Sequence, residues 1–102
     1  MHPSQFSPQA WQDALEITAY IGTDNTQTAS RFVPALEVTC EQLIALPGMG
    51  RVRQFRRKDL QGTRIMPVTG FENYLIFYAP AGKSIKVLRI LHAARDFPTI
   101  FE

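Results

Sequence analysis

The stretch "LPGMGRVRQFRR", residues 46–57, is where the chain changes its repeat. Before it, apolar residues recur every three or four positions, the period of a helix with one buried face. After Gly50, side chains of different character alternate, the period of a strand. Between the two patterns lies Pro47-Gly48-Met49-Gly50, which ends a helix and starts a turn. Arg51, Arg53, Arg56 and Arg57 then follow within seven residues. Helices upstream and strands downstream predict an α+β domain, with a cluster of cations where the sheet begins.

Upstream, Ser7-Pro8 predicts a helix start, because serine can accept from an unpaired N–H and proline fits the first helical position. Ala10, Ala14, Ile17, Thr18 and Ile21 form its apolar stripe, with Trp11 and Leu15 beside it and Asp13 and Glu16 on the wet side. Gly22 is the stop. Thr23 or Asp24 is expected to cap a second helix, whose stripe is Ala29, Phe32, Val33, Leu36, Cys40, Leu43 and Ile44. Pro34 lies inside that pattern and predicts a kink or a break near Ser30–Pro34, since it removes a donor and crowds the preceding turn. A short connection makes the two helices an antiparallel hairpin.

Downstream, "RVRQFR", "TRIMPV", "NYLIFYA" and "SIKVLRILHA" read as strands separated by "KDLQG", "TGFE" and "PAGK". Such short links predict an antiparallel meander, and "HPSQFS" is a candidate edge strand ahead of the first helix. The fold expected is one domain over residues 1–102: an N-terminal helical hairpin on one face of a mostly antiparallel sheet of four to five strands, the other face free and electropositive.

The formal charge of +2 hides a division. Residues 1–50 hold one basic and five acidic side chains, net −4, whereas residues 51–102 hold ten basic and four acidic, net +6. That asymmetry points to an anionic partner. The single cysteine, Cys40, cannot form an internal disulfide. No signal-peptide pattern is seen at the start, and the most apolar run, "YLIFYAPA", is far short of the ~20 residues a membrane helix needs. The expectation is a soluble cytoplasmic protein without a membrane role. His2, Cys40 and His92 lack metal-ligand spacing, so neither a metal nor a cofactor is expected.

Taken in order, "ALEITAYI", "TASRFVPALEVTCEQLIALPGMGR", "TRIMPV", "YLIFYAP" and "IKVLRILHAARD" resemble the RelE/ParE superfamily of type II toxin–antitoxin toxins, and its ParE branch most. The resemblance spans about residues 10–96. It implies a growth-inhibiting toxin of the plasmid-stabilization kind, neutralised by a cognate antitoxin, ParD-like or RelB-like. The ParE branch acts on DNA gyrase. The RelE branch cleaves messenger RNA at the ribosome. An inactive binding module of the same fold is the third reading.

A ribonuclease needs a base, an acid and cations on the phosphate. Arg51, Arg64, Arg89 and His92 are the residues available for it, but no general base stands out, and the plainer reading of His92 is a structural histidine bonded to backbone or to Asp96. The preferred reading is therefore non-enzymatic, with no catalytic residues. Arg51, Arg53, Arg56, Arg57, Arg64 and Arg89 are the target-binding candidates, a solvated edge strand being the plainer account of the charge run. Trp11, Leu15, Phe97, Ile100 and Phe101 are the antitoxin-binding candidates, with burial in the core the alternative for the first two and cover for the sheet or helices for the last three.

Overall fold

The computed structural model describes residues 5–52 and 62–94. Along the chain these form β1 (Gln5–Phe6), α1 (Pro8–Gly22), α2 (Thr26–Ala45), a 3-10 turn (Pro47–Met49), β2 (Arg51–Val52), β3 (Arg64–Val68), β4 (Phe71–Ala81) and β5 (Ser84–His92). The strands make one sheet in the order β1-β5-β4-β3-β2. The β2–β3, β3–β4 and β4–β5 pairs are antiparallel, and β1 runs parallel to β5. This is the expected helical hairpin on a five-stranded, mostly antiparallel sheet. No helix among the described residues is long and apolar enough to cross a membrane.

Ser7 starts α1 as expected: its backbone is extended and its side-chain oxygen accepts from the N–H of Ala10 at 3.0 Å. It does more than cap. Its own N–H donates to the Val87 carbonyl at 2.9 Å and its hydroxyl donates to the Leu88 carbonyl at 2.8 Å. One residue thus ends β1, starts α1 and fastens both to β5.

The cap of α2 is Asn25, not Thr23 or Asp24. Thr23 is still helical and donates to the Ala19 and Tyr20 carbonyls, while Asp24 and Asn25 both donate to Ile21. The turn uses these residues to close α1, so Asn25 is the first side chain free to accept from the next helix, which it does from Thr28 at 2.9 Å. The break considered at Pro34 does not occur: α2 is continuous for 20 residues. Pro34 is exposed, and Phe32 on one side of it and Leu36, Thr39, Cys40 and Leu43 on the other share the buried face. Packing on both sides overrides the local penalty.

In the sheet, β4 is longer than its sequence suggests. It begins at Phe71, inside the expected turn, and runs through Pro80 to Ala81, because pairing with β5 persists to Ala81 opposite Ser84. Gly82, at φ +61°, supplies the left-handed turn that follows. Alternation sends Tyr74, Ile76 and Tyr78 under the helices, where they join Ile85, Val87 and Ile90 and the helix residues Ala10, Ala14, Ile17, Phe32, Leu36 and Leu43. Phe32 meets Phe71 and Tyr74 edge-on, at ring-centroid distances of 5.2 and 5.5 Å.

The opposite face was expected to be free and cationic. Phe77 and Leu91 lie outside the cluster beneath the helices, yet both are buried. At these positions the second face is apolar and covered, not open.

Candidate partner-binding surfaces and the arginines

The six arginines singled out from the sequence have different fates. Arg53, Arg56 and Arg57 lie outside the described residues, as do Phe97, Ile100, Phe101 and Asp96. Three arginines remain, and they sit in three unlike environments.

Arg89 belongs to the structure. Between Phe77 and Tyr78 the β4–β5 register slips by one residue, so that Leu88 is extra and β5 bulges. Beside this bulge, Asp13 of α1 accepts from Arg89 Nε at 2.8 Å and Nη2 at 2.9 Å, and from the N–H of Ile90 at 2.9 Å. A forked guanidinium–carboxylate pair holds both groups in one orientation. Asp13 is correspondingly buried, 8% exposed, and does not lie on the wet side. The signal was present in the spacing: Asp13 falls three residues after Ala10 and four before Ile17, both core residues, so it must share their face.

Arg64 is also engaged. Its Nη1 donates to the Gly50 carbonyl at 2.8 Å and to that of Gly48 at 3.3 Å, holding the turn that opened the sequence. Tyr78 completes the attachment. Its hydroxyl donates to the Pro47 carbonyl at 2.7 Å and accepts from the N–H of Gly50 at 2.9 Å. Burial pushes the pKa of that hydroxyl upward, while the Gly50 hydrogen bond and the nearby Arg64 charge pull it back. Gly50 is required by the close approach: a Cβ there would stand 2.5 Å from the Tyr78 oxygen and 2.7 Å from its ring. Neither Gly50 nor the hydroxyl of Tyr78 had any sequence signal beyond the turn itself, since the bond joins residues 28 apart.

Arg51 alone of the three is exposed, and it makes no ion pair among the described residues. Of the four residues a ribonuclease reading relies on, two are already bonded within the fold. Arg64 and Arg89 hold a turn and a bulge. His92, at the far end of β5, accepts at Nδ1 from the N–H of Ala94 at 3.2 Å and meets Tyr74 edge-on at 5.2 Å. Among the described residues no group of three or more His, Cys, Asp or Glu side chains is placed to hold a metal ion.

The apolar candidates on α1 are not core residues. Trp11 is 51% exposed and Leu15 64% exposed, one helical turn apart. The Trp11 ring stacks on Phe6 of β1 with centroids 4.7 Å apart, which holds it in place while leaving half of it in water. Together they form a small exposed apolar patch with one member held in place.

Comparison with known proteins decides the family. The profile of the ParE toxin of the type II toxin–antitoxin system parDE matches residues 5–97. The chain belongs to this family. The ParE assignment agrees with two solved structures of the same fold. One, the chromosomal ParDE TA system from P. aeruginosa, superposes with a TM-score of 0.67 at 19% identity, covering 90% of this chain and 96% of that one. The other, the YoeB-YefM complex from Staphylococcus aureus, gives 0.58 at 15% identity, covering 90% and 97%. No curated protein sequence matches significantly. The ParE family chain is thus the toxin of a type II toxin–antitoxin module.

Proposed function

We propose that this ParE-family toxin works in the cytoplasm by binding DNA gyrase and blocking it, without a reaction of its own. A cognate antitoxin neutralises it by docking on Trp11 and Leu15. The observation that carries the binding reading is the commitment of Arg64 and Arg89 to carbonyls and to Asp13, which engages two of the three described candidate arginines within the fold. Arg51 is left to face a target, together with Arg53, Arg56 and Arg57 as its sequence neighbours. The antitoxin reading draws on the exposed aromatic–leucine pair and on the solved relatives, a ParDE TA system and a YoeB-YefM complex.

A supercoiling assay with purified gyrase and stoichiometric toxin tests the target. Loss of supercoiling with trapped cleaved DNA is expected. Full gyrase speed together with new cuts in translated messages, mapped by primer extension and lost in Arg64→Ala, would replace this reading with the ribonuclease one. Healthy cells on expression without antitoxin would leave an inactive module. For the antitoxin surface, Leu15→Glu is expected to weaken binding at least about tenfold while leaving the melting temperature nearly unchanged, as the side chain is already in water.

A further inference from the structure

A second surface lies at the opposite edge of the sheet. Met49, Arg51, Val52, Ile65, Met66, Pro67 and Leu75 line a groove of about 680 Å³ where β2 leaves β3. Met49 is 41% exposed and Val52 54%, although both are large and apolar. Among the described lining residues the one charged side chain is Arg51. It opens the segment 51–64, in which six cations accompany a single acid, Asp59. Two features describe an occupant. Apolar walls with two methionines accept aliphatic or aromatic side chains of varied shape. One cation without a carboxylate among the described lining residues asks for an acid on the occupant. A nucleic acid backbone fits poorly, because its contacts come from many donors and cations, not from Val, Ile, Pro and Leu. Pro67 has no N–H to offer an added strand, so recognition runs through side chains and not through strand pairing.

We infer that this groove is a second docking site of the antitoxin, filled by an acidic amphipathic segment whose apolar residues enter between Met49, Val52 and Leu75 and whose carboxylate meets Arg51. The inference rests on the antitoxin reading above. It adds a mode of neutralisation: the segment covers Arg51, the described candidate arginine that is left to face the target. It also requires the antitoxin to reach both edges of the sheet, since Trp11 stacks on β1 and the groove lies beside β2.

The test uses the full-length toxin and the protein encoded next to it, as the intact chain and as overlapping peptides of about fifteen residues, with affinities from fluorescence anisotropy. One acidic, amphipathic peptide is expected to bind the parent toxin, to lose at least about tenfold on Arg51→Glu and on Val52→Glu, and to keep its affinity on Arg51→Lys and on the remote Lys83→Glu. Both groove residues are exposed, and thermal melts confirm that the variants remain folded. A peptide weakened by Trp11→Ala but not by Val52→Glu overturns the inference and leaves the antitoxin reading standing. So does intact antitoxin that binds with no sensitivity to either groove variant. Binding of a 20-base-pair duplex that needs Arg51 but not Val52, with no peptide bound, assigns the groove to nucleic acid and overturns it. Peptide binding that emerges only after residues 95–102 are removed assigns the groove to the toxin's own chain, again overturning it. If the intact antitoxin fails to bind the parent toxin at all, the antitoxin reading itself falls.

Discussion

The two edges of the sheet are fastened by opposite chemistry. At the β1–β5 edge, α1 is held by charge: Asp13 takes the Arg89 fork and the Ile90 N–H beside a bulge. At the β2–β3 edge, the Pro47–Met49 turn is held by the neutral Tyr78 hydroxyl, with Arg64 donating to carbonyls among the described residues. Arg51 and Arg89 even lie in one row across the sheet, Arg51 opposite Ile65, Ile65 opposite Phe77, and Phe77 opposite Arg89. One is exposed and the other is half-buried in an ion pair. An arginine's role in this fold is therefore set by which helix residue stands over it, not by its place in a basic sequence.

The contrast can be broken at each edge separately. The largest effect is expected from Asp13→Ala, which strands a partly buried guanidinium and leaves the Ile90 N–H unpaired. Removing one member of such a pair costs about 3 kcal/mol or more, to be read from urea denaturation. If Asp13→Ala melts like the parent, the ion pair is not what holds α1. Gly50→Ala comes next, at about 2–3 kcal/mol, because its new methyl meets the Tyr78 ring as well as the oxygen. For that reason adding Tyr78→Phe should relieve it only in part.

Tyr78→Phe alone is expected to cost about 1–2 kcal/mol, from a carbonyl and an N–H left without their partner. It also sharpens the comparison through pH. The folded-state pKa of Tyr78 is raised above its ordinary 10.0, so the stability gained from the neutral phenol is complete below pH 10 and is lost as pH rises through the folded value. A parent that loses stability above pH 10 while Tyr78→Phe does not, beyond the other tyrosines' common share, places this loss at the turn. Identical profiles would contradict it. The smallest effect is expected for Ser7→Ala, about 1 kcal/mol, from a lost cap and a lost bond to Leu88. Its destabilisation should be less than additive with that of Asp13→Ala, since both act on one bulge.

Much of the architecture could be read directly. Ser7-Pro8, the stripe of α2 and the change of period after Gly50 are local signals, and each marks its element. The boundaries that were misread depend on neighbours. Asn25 caps α2 because Thr23 and Asp24 are already used in closing α1. β4 passes Pro80 because β5 still pairs with it. The site residues were less legible still. Arg64 and Arg89 look like free cations in a basic half-chain, and only partners 14 and 76 residues away show otherwise. Trp11 and Leu15 sit beside a core stripe, and nothing local says on which side of the helix edge they fall.

By itself, then, the order of residues determined where helices and strands form, which stripe of each is apolar, and which superfamily the chain resembles. The first two follow from side-chain period, capping and turn chemistry, all of which act over a few residues; the resemblance rests on the order of whole segments. The tertiary structure decided which charges are used up within the fold and which are left for a partner. That choice depends on side chains brought together from distant parts of the chain by packing, where burial makes an ion pair or a phenol hydrogen bond hard to give up.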